Sequence, residues 1–277
     1  MEKPRRDLFA PILDCEPMMA TLLLIGRLLI AGIFVFYIYR ELEMIHNPGL
    51  LLYATILAEF AGLVLVVLGY QTRFAAFLLI ACFAVIFQEF RPMMQLTSNL
   101  STIAEKAAAV TGGLLVLYVH GPGRLSIDRM QGGGNPLPAS NTGSLLLFSR
   151  VLMVFVFYFF GISKILNLNE IKAFMVRHNA HVPTDLVWLA IVIQLAAPTL
   201  VLLGYKTRWG AFFLGGFCIV APVLFHNAFG DPGEVEHFLL DMAITGSYLF
   251  LFSHGPGPLS IDASESVPAE AALPLGA

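Results

Sequence analysis

The chain has 277 residues, 57% of them hydrophobic and only 13% charged, with a net charge of -3. So few charges cannot coat a water-soluble globule, for which about a quarter charged residues is usual, and the slight acidity excludes the basic footprint of a nucleic-acid binder. A lipid bilayer, which asks for no polar coat, is the solvent this composition fits.

Residues 1–17 carry Lys3, Arg5 and Arg6, then Asp14 and Glu16, ahead of the first apolar run. No small-residue cleavage site follows, so a cytoplasmic anchor is expected here, not a removed leader. Eight apolar segments then follow in chain order, near 18–39, 50–69, 74–90, 102–119, 145–162, 184–203, 210–229 and 236–253. Leu and Phe dominate them without period-two alternation, which predicts membrane helices and not barrel strands. Residues 130–144 are rich in Gly, Pro and Asn and read as a linker. Residues 263–277 form an Ala/Pro/Glu-rich tail.

One sentence is written twice in the chain. His120-Gly121-Pro122-Gly123-Arg124-Leu125-Ser126-Ile127-Asp128 returns 134 residues later as His254-Gly255-Pro256-Gly257-Pro258-Leu259-Ser260-Ile261-Asp262. Gly69-Tyr70-Gln71-Thr72-Arg73 returns 135 residues later as Gly204-Tyr205-Lys206-Thr207-Arg208. Two matches at nearly one spacing predict a tandem duplication. The expected fold is therefore an all-α integral membrane protein: eight transmembrane helices as two parallel four-helix-bundle repeats, 18–129 and 145–262. Arg27 matches Arg150 at a spacing of only 123 residues, so the second repeat holds an insertion, which includes Asn167 to Pro183. Its apolar residues, Ile165 to Phe174, predict an interfacial helix. With both termini cytoplasmic, Lys3, Arg5, Arg6, Arg73, Arg124, Arg129, Lys206 and Arg208 share the inner side, as the positive-inside rule favours.

The few polar residues inside apolar runs are the candidate site residues. Arg27 and Arg150 lie several residues inside the first helix of each repeat. Such a charge either snorkels to the interface or pairs inside, where Glu59 is the strongest acceptor in the first repeat. Thr55, Glu59, Gly62 and Val66 form one polar-and-small stripe at helical spacing. An ionisable group near midplane is by default a functional candidate, set against a structural ion pair. Gln194 takes the matching place in the second repeat, and Pro198, four residues on, removes its helical donor. His237, Asp241, Thr245 and Tyr248 stack on one helix face, with Lys164 and His226 expected at the same outer level as the upper part of this seam. His178 and His181 stand on the insertion. The His237–Asp241 spacing alone is a weak metal signal, and no metal is expected. Cys15, Cys82 and Cys218 make no CxxC pair, so no dithiol centre is expected within the chain. Gly-Pro-Gly should stop each fourth helix, and Asp128–Arg73 and Asp262–Arg208 ion pairs are expected to clasp the turns.

These motifs together resemble the DoxX family of bacterial four-helix membrane proteins. The matching elements are Arg27, Glu59 to Gly62, Gly69 to Arg73, Lys106 with Gly112-Gly113, and Gly121 to Asp128. In the second repeat they are Arg150, Gly161 to Lys164, Gly204 to Arg208, Phe225-His226 and Gly255 to Asp262. Neither repeat holds the full set: Gln88 stands where a histidine would, and Gln194 where a glutamate would. The resemblance implies a bacterial inner-membrane protein. It also implies a link to quinones or redox defence, since some relatives, such as the membrane subunit of thiosulfate:quinone oxidoreductase, are quinone-linked. A quinone headgroup is then expected at Lys164, His226, His237, Asp241 and Tyr248, with electrons from a redox partner protein. A small-solute or proton-coupled transporter and a non-catalytic assembly subunit are the alternative readings.

Overall fold

The computed structural model describes residues 8–43, 50–96, 100–138, 142–169, 184–225 and 234–265; within these, the side chains of 88–101, 184, 224 and 225 lie outside the description. Among the described residues the chain is all-helical. In chain order the helices are α1 (Ala10–Leu13), α2 (Glu16–Glu43), α3 (Leu50–Leu68), α4 (Thr72–Leu96), α5 (Leu100–His120) and α6 (Ile127–Met130). Then come α7 (Gly143–Leu166), α8 (Thr184–Leu203), α9 (Thr207–Phe225), α10 (Val235–His254) and α11 (Ile261–Glu265). Among the described residues, six helices are long and apolar enough to cross a membrane, in α2, α3, α5, α7, α8 and α10. The remaining two expected spans have shorter apolar stretches, Thr72–Phe87 in α4 and Thr207–Val223 in α9. In α4 the apolar run stops at Gln88-Glu89, although the helix continues.

The surface is apolar and much of the polarity lies inside, the inverse of a water-soluble fold. On α3 the buried residues are Thr55, Glu59, Gly62 and Val66, the stripe expected from spacing, while Leu57 and Phe60 face outward. Outward Val35, Phe77, Phe155 and Phe212 continue this lipid-suited coat around the molecule.

The long helices close into a ring. Each packs on the next, α2 on α3, α3 on α4, α4 on α5, then α5 on α7, α7 on α8, α8 on α9, α9 on α10, and α10 back on α2. Across the middle, α5 packs on α10. The fourth long helix of each half therefore packs on the first helix of the other half, and the two fourth helices share the centre. Two self-contained four-helix bundles do not describe this packing. Glycines allow the close approach: a Cβ on Gly246 of α10 would stand 2.5 Å from the Gly26 carbonyl oxygen of α2. The central pair runs parallel, because the His120 and His254 rings at their last turns stack with centroids 4.3 Å apart. Phe9, ahead of α1, reaches over to the second half and packs against Trp209 and Phe252.

Candidate functional site

Two kinds of polar centre occupy the interior. The first kind lies at the turn end of the molecule and occurs twice with the same bonds. Arg27 is fully buried, and its Nη1 donates to the carbonyls of Val66 (3.4 Å) and Val67 (3.3 Å), while Nη2 donates to Leu125 O. Arg150 does the same, from Nη1 to Val201 O (3.3 Å) and Leu202 O (3.2 Å), and from Nη2 to Leu259 O. The Val66, Val67, Val201 and Leu202 carbonyls lie in the last turns of α3 and α8, where helical donors run out, although Val66 O and Val201 O also accept from the Gly69 and Gly204 N–H groups (3.1 Å each); Leu125 O and Leu259 O belong to the repeated turn sentence. Arg27 and Arg150 thus neither snorkel nor pair with Glu59, as expected from sequence; they cap helix ends. Gly69 (φ +64°) and Gly204 (φ +65°) clear the seat, since a Cβ there would come within 2.2 Å of Arg27 Nη1 and 2.4 Å of Arg150 Nη1.

The aspartates of the repeated sentence also act on backbone. Asp128 accepts from the Gln71 N–H (2.7 Å), the Thr72 N–H (3.0 Å) and the Thr72 hydroxyl (2.7 Å). Asp262 accepts from the Lys206 N–H (2.7 Å), the Thr207 N–H (3.0 Å) and the Thr207 hydroxyl (2.9 Å). Each is a capping carboxylate delivered from a distant segment to the start of α4 or α9. The expected Asp128–Arg73 and Asp262–Arg208 ion pairs are absent. Arg73 instead donates from Nε to Tyr118 O (3.3 Å) and from Nη2 to Asn135 O, and Arg208 donates from Nε to Phe252 O (3.3 Å). The reason is geometric: the free N–H groups of the helix start lie nearer the carboxylate than either guanidinium does.

The second kind of centre lies toward the opposite end, and here the halves differ. On the first side Glu59 is fully buried, and among the described residues neither carboxylate oxygen has a hydrogen-bond partner. Glu41, also buried, stands close enough for its charge to act on Glu59. Nearby, Tyr37 donates its hydroxyl to Glu236 of α10 at 3.0 Å. On the second side the Lys164 ammonium donates to Gln194 Oε1 at 2.8 Å. The Arg27–Arg150 spacing maps Glu41 onto Lys164, and the turn spacing maps Glu59 onto Gln194. The same two positions therefore hold two acids in one half and an ammonium with an amide in the other.

Between them, at the α5–α10 contact, Lys106 forms an ion pair with Asp241 at 2.9 Å and donates to His237 O at 3.3 Å. Tyr248 is buried and donates to Met153 O at 2.9 Å, well away from Lys164. Three of the expected headgroup residues thus have internal partners: Lys164 meets Gln194, Asp241 meets Lys106, and Tyr248 meets Met153 O. His226, His178 and His181 lie outside the described residues, as do most of the insertion and the side chain of Gln88. Gln194 and Pro198 sit in α8, which continues to Leu203. Among the described residues, no three His, Cys, Asp or Glu side chains are grouped to hold a metal ion. A cavity of about 380 Å³ opens at the turn end, beside Glu16, His120, Arg124 and His254, and none of the expected headgroup residues lines it.

Sequence reasoning missed Glu41, Glu236 and the Lys106–Asp241 bridge. Carrying the Arg27–Arg150 spacing along to Lys164 would have found Glu41. The bridge joins residues from different halves and leaves no trace in local spacing.

Helices with a lipid-suited exterior, capped internally and holding ionisable groups at depth, define a polytopic membrane protein. The chain belongs to the DoxX family, whose sequence pattern matches residues 145–227. Its relatives include inner membrane protein YqjF of Escherichia coli K12, 31% identical over 117 residues, which is 42% of this chain and 88% of the relative. Inner membrane protein YphA of the same organism is 28% identical over 123 residues, 43% of this chain and 88% of the relative. No solved structure matches the chain.

Proposed function

We propose that this DoxX-family inner-membrane protein is a proton-coupled carrier of a small solute, with Glu59 as the group that bears the proton. One observation carries the reading: a fully buried carboxyl on a spanning helix, with no hydrogen-bond partner at either oxygen among the described residues. A structural carboxylate is expected to hold donors, as Asp128 and Asp262 do, because burying one without them costs several kcal/mol. A group that gains and loses a proton during a transport cycle must instead stay unclamped in one state. The basic turn residues Arg73, Arg124, Arg129, Lys206 and Arg208 favour placing the turn end, and with it both termini, in the cytoplasm.

The quinone-linked role implied by family resemblance is the weaker reading, because Asp241 is paired with Lys106 and Tyr248 donates to Met153 O, which draws both away from a headgroup held at Lys164. The test uses proteoliposomes containing a pH-sensitive dye and a panel of small carboxylates, amines and sugars. Solute-driven proton uptake is expected, abolished in Glu59→Gln and partly kept in Glu59→Asp. Infrared difference spectra should carry a protonated-carboxyl band that Glu59→Gln removes. Persistence of that band in the variant, or stoichiometric quinone in the purified protein, would defeat the proposal.

A further inference from the structure

The interior charges are unevenly divided. Lys106 and Asp241 neutralise one another at the centre. Lys164 does not share in that: its hydrogen bond goes to the neutral amide of Gln194, and no described carboxylate lies within ion-pair distance of it. The Lys106–Asp241 pair acts on it from nearby, and the Phe160 ring lies 5.5 Å from its ammonium. Among the described residues this partly desolvated ammonium, beside an amide and a ring, has no counter-ion of its own. The amide is suitably disposed to help bind one. With Oε1 engaged by Lys164, Gln194 is left with its Nε2 hydrogens as donors beside the ammonium. Gly161 brings the two together, since a Cβ there would lie 3.3 Å from Gln194 Cβ. Lys164 is half-buried in the last turn of α7, whereas Gln194 is buried near the middle of α8, so the pair links the end of one span to the interior of its neighbour.

We propose that Lys164 and Gln194 form a binding site for a small monovalent anion, a carboxylate or an inorganic oxyanion. The anion lies between the ammonium and the amide N–H groups, two donors suited to two acceptor oxygens. In the first half the same positions carry Glu41 and Glu59, so that half has carboxylates where this one would take its anion from outside. The inference deepens the proton-coupled reading by naming the class of its co-substrate. Its measurement needs no gradient and does not involve Glu59, so the two fail separately.

The full chain in detergent is titrated with acetate and, separately, with nitrate against a chloride background of constant ionic strength. Calorimetry and the thermal midpoint follow binding. Saturable binding of at least one anion is expected, weakened at least tenfold in Lys164→Gln. Acetate alone would identify carboxylates, and nitrate alone inorganic oxyanions. Gln194→Glu places a carboxylate beside Lys164 from within the protein. It should raise the midpoint without added anion and remove the saturable response, which keeps the test decisive if Lys164→Gln does not fold. Absence of saturable binding by both anions, or unchanged affinity in either variant, overturns the proposal.

Discussion

At the scale of single residues, polar side chains here serve backbone first. Asp128 offers one carboxylate to three donors at the start of α4, whereas Arg73 reaches two carbonyls. Losing the capping carboxylate strips the part-buried Thr72 N–H and hydroxyl of their partner, at a cost of about 0.5–2 kcal/mol. Of the two carbonyls released from Arg73, Asn135 O is exposed and can turn to water. Asp128→Ala should therefore lower the unfolding free energy in detergent by that amount, and Arg73→Ala by less. An equal loss in both variants would restore the ion-pair clasp that sequence reasoning favours.

Among elements, contact is controlled by small residues. A lipid environment gives apolar helices little reason to prefer one another over acyl chains, so close backbone approach and packing must supply the attraction. Gly26 with Gly246 brings α2 against α10, and Gly113 lets α5 meet Ser247 of α10, where a Cβ would lie 2.2 Å from the Ser247 Cβ. Gly246→Val should force these helices apart. Size-exclusion chromatography is expected to show loss of the monodisperse species, whereas Gly216→Ala, at a site with open space around its Cβ position, should behave as wild type.

For the whole molecule, the Lys106–Asp241 bridge ties the central helices of the two halves, with side chains 7% and 11% exposed. A buried pair often adds little net stability, but removing one partner strands the other, at about 3–5 kcal/mol. Lys106→Met should be strongly destabilising, and Lys106→Met combined with Asp241→Leu should recover most of the loss. A double-mutant cycle by denaturant unfolding in detergent measures this. Simple additivity of the two single effects would mean the bridge does not couple the halves.

Much of the fold was legible in the residues themselves. Helical class and membrane setting followed from hydropathy, and the Thr55–Val66 stripe from period. The turn sentences were visible because the same carbonyl and N–H groups need the same Arg, Gly and Asp in both halves. The solvent the chain suits and the places where its helices turn at the repeated sentences could be read from residues alone, because these depend on composition and on local backbone chemistry. Which group each buried charge meets emerged from the packing. Arg27 met carbonyls instead of Glu59, Lys106 met Asp241 across the two halves, and Glu41 came beside Glu59, because these are contacts between distant helices whose packing angles and small-residue crossings no local spacing encodes.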